Sequence, residues 1–205
     1  MKYDAVVFDL LTALIDSWSL WNSVAGSPEA GLVWRRRYLE ITYGCGAYRP
    51  YEALVREAAR DVGMPERLGE ELERRWAELM PWPEAASVLE RIPAPLAVAT
   101  NCSARLGRRA ADRVGVPFTV VETAESVGFY KPRPEVYRAV LDRLGTAPER
   151  TLFVAGSASD VPGAKQVGMP VYWHNRVGLP PQALGGAAAR PDFQEKSLEP
   201  LAGLF

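Results

Sequence analysis

The sequence predicts an α/β fold, a parallel sheet covered by helices on both faces with a helical cap inserted after the first strand. Three observations carry this. Short, continuously apolar runs of strand length recur along the 205 residues. From the second run onward they alternate with segments of helical period. Between the first and second runs lies a long stretch with helical patterns and no strand candidate. Continuous apolar strands, as opposed to alternating ones, belong to parallel sheets buried on both faces.

The elements follow in order. Ala5-Val6-Val7-Phe8 is the first strand. It is preceded by no basic segment, long apolar stretch or cleavage site of a signal peptide, and it reads as core. Residues 28–43, 51–62 and 65–79 are amphipathic helices; Leu68, Leu72, Trp76 and Leu79 keep the helical period. A block of that length is too long for a simple crossover, so residues 15–83 are expected to form a cap, with Pro81 and Pro83 marking the return. The core is then 1–14 with 84–205. Its remaining strands are expected at 96–99, 118–121, 152–154 and 170–173, with helices at 103–114, 134–144 and 158–167. The Gly/Ala/Pro-rich stretch 178–191 reads as an irregular surface arm.

Composition narrows the function. With 48% hydrophobic residues the chain can bury one substantial core, and a formal net charge of -1 argues against a nucleic-acid surface. No stretch is long and apolar enough to span a bilayer. Two cysteines, Cys45 and Cys102, make no disulfide framework, and a reducing cytoplasm is the expected setting. One histidine, His174, cannot build a histidine-based metal site and reads as a structural polar contact. Among only four lysines, Lys131 stands in a loop between Tyr130 and Pro132.

In parallel α/β sheets ligands bind beyond the carboxyl ends of the strands, and polar residues follow four of these runs. Asp9 ends the first; it is either a structural cap or a group in use, since a buried acid is costly otherwise. Thr100 and Asn101 end the second, where the next helix begins. Either that segment only caps the helix, or these residues and the backbone N–H groups bind an anion. Lys131 precedes a helix, as a solvated loop lysine or as a cation aimed at Asp9. Ser157 and Asp160 follow the run at 152–154, as helix-terminal residues or as site groups. Each is ambiguous alone; their order along the chain is informative.

That order resembles the haloacid dehalogenase superfamily, whose core is Rossmann-like. It is most similar to the L-2-haloacid dehalogenases over nearly the whole chain. Asp9-Leu10-Leu11 is similar to their Asp-Leu-Tyr opening, and Trp34-Arg35 with Leu39-Glu40 to their halide-binding segment. Thr100-Asn101 stands where they have Ser-Asn, and Lys131-Pro132 with Val136-Tyr137 matches their Lys-Pro and Val-Tyr pairs. Phe153-Val154, Asp160, Gly163-Ala164 and the segment from Trp173 to Arg176 resemble their last motif.

The resemblance implies a hydrolase with Asp9 as nucleophile, Lys131 in place of a metal ion, and no cofactor. Asp160 would orient Lys131 or polarise water, and Arg35 would bind halide or the substrate carboxylate. Leu11, Thr100, Asn101, Tyr137 and Ser157 would contribute to substrate binding. The substrate would be a small 2-substituted carboxylic acid, and a homodimer is the implied assembly. The chain also departs from the pattern. Leu11 stands where magnesium-dependent phosphatases of the superfamily carry a second Asp, and Gly156 where they ligate the metal. Ala13 stands where the dehalogenases carry Thr, while Ala155 and Ser157 replace their Ser and Asn. On this reading two hydroxyl donors are missing, with Ser157 as partial compensation. A magnesium-dependent phosphatase on small phosphoesters and a non-catalytic binding protein of the same fold are the alternatives.

Overall fold

A computed structural model describes residues 2–180 and 189–205. Six strands form one sheet: β1 (Ala5–Phe8), β2 (Leu96–Thr100), β3 (Val120–Thr123), β4 (Thr151–Ala155), β5 (Val171–His174) and β6 (Phe193–Glu195). Their order is β3-β2-β1-β4-β5-β6, and every neighbouring pair is parallel. The strand order reverses at β1: β2 and β3 lie on one side and β4 to β6 on the other. The crevice beyond the carboxyl end of β1 is therefore the topological switch point of the sheet. β1, β2, β4 and β5 are buried along their whole lengths, which is why they read as unbroken apolar runs.

Two strands differ from expectation. β3 runs to Thr123, two residues beyond the apolar run. Its polar end is buried because Glu122 is satisfied, accepting from Ser126 Oγ at 2.6 Å and Arg143 Nη1 at 2.6 Å. β6 is a three-residue edge strand, half-buried to exposed, with no hydrophobic run to announce it. Of the expected arm, 181–188 lie outside the described residues, and the residues on either side form no regular element.

Between β1 and β2 come α1 (Ser17–Ala25), α2 (Pro28–Cys45), α3 (Tyr51–Asp61) and α4 (Arg67–Arg74), then a short turn of tighter helix, Trp76–Glu78. Helix α1 is absent from the sequence reading. Its Ser- and Trp-rich sequence has little intrinsic helix preference. Packing supplies what propensity lacks: Leu20, Trp21 and Val24 are buried, and the Trp21 ring lies 4.6 Å from Trp34 of α2. Asp16 caps its start, accepting from Ser19 N at 3.1 Å. The helical block is tied to the core where it leaves and where it returns. Ile15 bridges Pro81, and Trp82 N donates to the Leu14 carbonyl at 2.9 Å.

The remaining helices are α5 (Ala85–Leu89), α6 (Ala104–Arg113), α7 (Ala124–Val127), α8 (Pro134–Leu144) and α9 (Asp160–Gln166). Helix α6 begins as expected, with Ser103 Oγ accepting from Leu106 N at 3.4 Å. Buried residues form two clusters, one holding the helical block and its face of the sheet and the other the opposite face under α8 and α9.

Candidate active site

Asp9 follows β1 directly, and the chain then turns back over it through residues 10–13. Thr12 N and Ala13 N donate to Asp9 Oδ2 at 3.1 and 3.3 Å, and the Thr12 hydroxyl donates to the same oxygen at 2.6 Å. Asp9 Oδ1 accepts from Lys131 Nζ at 2.8 Å. The same ammonium donates to Asp160 Oδ2 at 3.1 Å. Lys131 is 1% exposed and Asp160 2%, so the three charges form a buried triad. Residues separated by 122 and 29 positions in sequence thus meet on one nitrogen.

Burial alone would push the Asp9 carboxyl up. The Lys131 ammonium and the Thr12 donors outweigh it and hold the group below the ordinary carboxylate value. Asp160 moves the other way: burial and the nearby Asp9 charge, against the pull of Lys131, push it up to about 6. Lys131 is raised, because Asp160 and Asp9 more than offset the burial that would discharge it. The two carboxylates are therefore set apart by environment.

The lysine is placed through its backbone. Asn101 Oδ1 accepts from Lys131 N at 2.7 Å and Asn101 Nδ2 donates to the Lys131 carbonyl at 3.1 Å. Both ends of the amide are occupied. Thr100, by contrast, keeps a buried hydroxyl with no hydrogen-bond partner. Arg35 enters from α2, 6% exposed, with its Cζ 4.0 Å from the centre of the Trp18 ring and its Nη1 without a partner. Its neighbour Arg37 behaves as an ordinary surface arginine, bound to Asp61 and Glu40.

These groups line one cavity of about 60 Å³ between the helical block and the strand ends. Asp9, Leu11, Arg35, Thr100, Asn101, Lys131, Ser157 and Asp160 all border it. Tyr137 does not. Its hydroxyl donates to the Asp160 carbonyl at 3.2 Å from beneath, and its ring packs edge-on against Phe153. Residues that sequence reasoning did not place at the site also line it, among them Thr12, Trp18, Tyr38, Tyr43 and Leu179. The Tyr43 hydroxyl donates to Asp160 Oδ1 at 3.5 Å. Leu179 is held there by Asn175, whose side chain accepts from its N–H and donates to its carbonyl, each at 2.8 Å.

Of the two hydroxyl donors expected to be missing, one is supplied by Thr12. It stands one position before Ala13, and the turn is wound so that its hydroxyl reaches Asp9. Gly156 is the counterpart of that winding. A Cβ on Gly156 would lie 2.2 Å from Thr12 Oγ1 and 2.3 Å from Ala13 N, so the loop after β4 can approach only without a side chain. The space that a metal-ligating carboxylate at 156 would need is filled by Thr12.

A divalent cation does not fit this donor set. One oxygen of Asp9 is saturated by three donors, and an ammonium sits between the other oxygen and Asp160. Magnesium needs several oxygen ligands in octahedral array. Among the described residues no cluster of three or more His, Cys, Asp or Glu side chains is arranged to hold a metal.

Residues 3–168 match the family model of the haloacid dehalogenase-like hydrolases. The chain belongs to this family. An (S)-2-haloacid dehalogenase of Pseudomonas putida is 29% identical, with 91% of this chain and 92% of that protein aligned. A phosphoserine phosphatase of Thermus thermophilus is 33% identical over 85% of this chain and 73% of its own. Among solved structures, the L-2-haloacid dehalogenase of Xanthobacter autotrophicus with chloropropionic acid covalently bound superposes with a TM-score of 0.84 at 25% identity, covering 98% of both chains. This hydrolase shares with those dehalogenases the six-strand parallel sheet and its flanking helices. Among its described residues no helix is long and apolar enough to cross a membrane.

Proposed function

We propose that this haloacid dehalogenase-like hydrolase removes halide from a small 2-haloacid through an ester on Asp9, without a metal ion. The observation that carries this reading is the contact between the Lys131 ammonium and Asp9 Oδ1, at 2.8 Å in a buried site. It supplies the positive charge that keeps a buried carboxylate ionised and nucleophilic.

The two Asp9 oxygens divide the work. Oδ1 has a single donor and keeps a lone pair for attack on the carbon bearing the halogen. That bond forms as the carbon–halogen bond breaks, and halide leaves with the bonding pair. Oδ2, held by Thr12 and Ala13, becomes the ester carbonyl oxygen. Water then attacks Cγ, the negative charge collects on Oδ2 among its three donors, and the 2-hydroxyacid departs as the carboxylate is restored. Asp160, bound to the same ammonium, is the base that takes the proton of the water.

Two buried groups without partners suit an anionic substrate: Arg35 Nη1 from α2 and Thr100 Oγ1 from the end of β2. A buried donor left unsatisfied is costly, and a carboxylate or halide would satisfy it. At roughly 10–15 Å³ per water, a 60 Å³ cavity holds about four to six atoms of ligand. That is the size of a two- or three-carbon haloacid. Trp18, Leu11 and Leu179 give the remainder an apolar wall. We also propose that residues 15–83 act as the cap over a core of 1–14 and 84–205, in a reducing cytoplasm where Cys45 and Cys102 stay free.

The test is chloride release from L-2-chloropropionate in the presence of EDTA, with Asp9→Asn as the control. Release by the native protein, and its loss by at least 10³-fold in the variant, is the expected result. Release of phosphate from small phosphoesters that depends on magnesium would replace this reading with a phosphatase. Substrate binding with no turnover in either assay would make the protein a binder.

A further inference from the structure

The turn over Asp9 is held by its carbonyls as well as its N–H groups. Three consecutive carbonyls, of Leu11, Thr12 and Ala13, each meet a side-chain donor. Ser17 Oγ donates to the Leu11 carbonyl. Trp82 Nε1 donates to the Thr12 carbonyl at 3.0 Å. His174 Nδ1 lies 2.8 Å from the Ala13 carbonyl, and since a carbonyl only accepts, this nitrogen carries the proton. Ser17, Trp82 and His174 are 0%, 8% and 1% exposed.

A trans peptide is planar, with its C=O and N–H pointing in opposite directions. The peptide joining Leu11 to Thr12 therefore has Ser17 on its carbonyl side and Asp9 Oδ2 on its N–H side. The peptide joining Thr12 to Ala13 has Trp82 on one side and the same oxygen on the other. A donor on the carbonyl fixes the direction of the N–H and polarises it, making it a stronger donor in turn. The next peptide, fixed by His174, sends its N–H to the Leu10 carbonyl at 3.2 Å and closes the turn.

We propose that Ser17 and Trp82 are positioning residues of the oxyanion site, acting through these two peptides on Asp9 Oδ2, with His174 fixing the third. None of the three borders the cavity. The proposal rests on the reading of Asp9 as an ester-forming nucleophile and assigns the residues to its second half. Water adds to Cγ as Asp160 takes one of its protons, and the electron pair of the C=O bond moves onto Oδ2. The pair returns as the alkoxide of the hydroxyacid leaves and takes that proton from Asp160, and the second water proton is lost from Asp9 to solvent. Negative charge on Oδ2 is greatest in that step, so loss of a polarising donor slows ester breakdown more than ester formation.

Two of these donors sit where the helical block joins the core. Ser17 is the first residue of α1, and Trp82 follows the Ile15–Pro81 bridge and returns its own N–H to Leu14. The exit and the return of the block thus each place a donor behind the turn.

The experiment compares native protein with Trp82→Phe, which keeps a ring but has no donor, and with Ser17→Ala. His174→Phe and His174→Asn form a second pair, since the asparagine amide can still donate near the Nδ1 position. Turnover of L-2-chloropropionate, the fraction of protein carrying the covalent adduct by mass spectrometry, and the proton shifts of the Thr12 and Ala13 amides are read for each folded variant. Trp82→Phe is expected to lower kcat about tenfold, to lower KM with it, to accumulate the adduct and to move the Ala13 amide upfield. Ser17→Ala should do the same for the Thr12 amide, and His174→Asn should recover most of what His174→Phe loses. Unmoved amide shifts, or a fall in kcat with no adduct accumulating, would overturn the proposal. A native protein that releases no halide would sink the dehalogenase reading instead, and the amide shifts would still decide whether the side chains act through the peptides.

Discussion

Asp9 Oδ2 takes two backbone donors and one hydroxyl, and of these only the hydroxyl can be removed without rebuilding the chain. Thr12→Val keeps the shape and the buried volume while leaving Oδ2 with its N–H partners. Removing one such donor from an oxyanion site lowers kcat by about 10²–10³-fold. We expect a loss near the lower figure, because two donors remain, with Thr12→Ser close to native. Steady-state kinetics on both variants check this; a Thr12→Val enzyme with native kcat would mean that the hydroxyl serves only the fold. This residue also marks where sequence reading stopped short. A pattern that expects a hydroxyl four positions after the nucleophile finds Ala13 and reports a gap. One position earlier, the winding of a turn decides which side chain reaches Asp9, and that winding depends on a glycine 147 positions from Asp9 (156 minus 9).

At the scale of elements, the buried strands and the helices with strong apolar stripes were legible because burial writes itself into the sequence as periodicity. Asp9, Lys131 and Asp160 were legible for a related reason: each follows a readable strand or precedes a readable helix. What was not legible depends on contacts between elements. Helix α1 exists because Trp21 meets Trp34, and β6 because β5 offers an edge. Asn101 borders the cavity, and both atoms of its amide also work between elements, joining the loop after β2 to the loop before α8. Asn101→Ala should therefore act on Lys131 before it acts on substrate. With two hydrogen bonds to a partly buried backbone lost, destabilisation of about 1–3 kcal/mol is expected. In the folded fraction kcat should fall while KM changes little. Thermal unfolding with kinetics on the same samples tests this; a raised KM with unchanged kcat would return Asn101 to the role of a substrate ligand.

For the molecule as a whole, the pairing of charges across the sheet's switch point sets the pH range in which it can work. With Asp9 and Asp160 ionised, Lys131 and Arg35 balance them, and an arriving carboxylate adds one negative charge. Asp160 absorbs that strain most readily, since burial and Asp9 already push its carboxyl up to about 6. The sign follows from the direction of each shift. Above about pH 6 Asp160 is ionised and can accept the proton of water; below it the proton is already in place and ester hydrolysis slows, by about tenfold for each further pH unit. Asp9 is shifted the opposite way, so its stabilising contribution is present above the ordinary carboxylate value and is lost only as the pH falls through its own lower one. Activity should thus fall through an acid limb near pH 6 while the fold stays intact, with adduct accumulating on Asp9 as the limb is descended. The profile of kcat and the far-ultraviolet circular dichroism, measured on the same samples from about pH 4 to about pH 8 (about two units on either side of the limb), separate the two events. A limb that coincides with loss of secondary structure, or one near the ordinary carboxylate value with no adduct, would remove Asp160 from the role of base and leave it holding Lys131 alone.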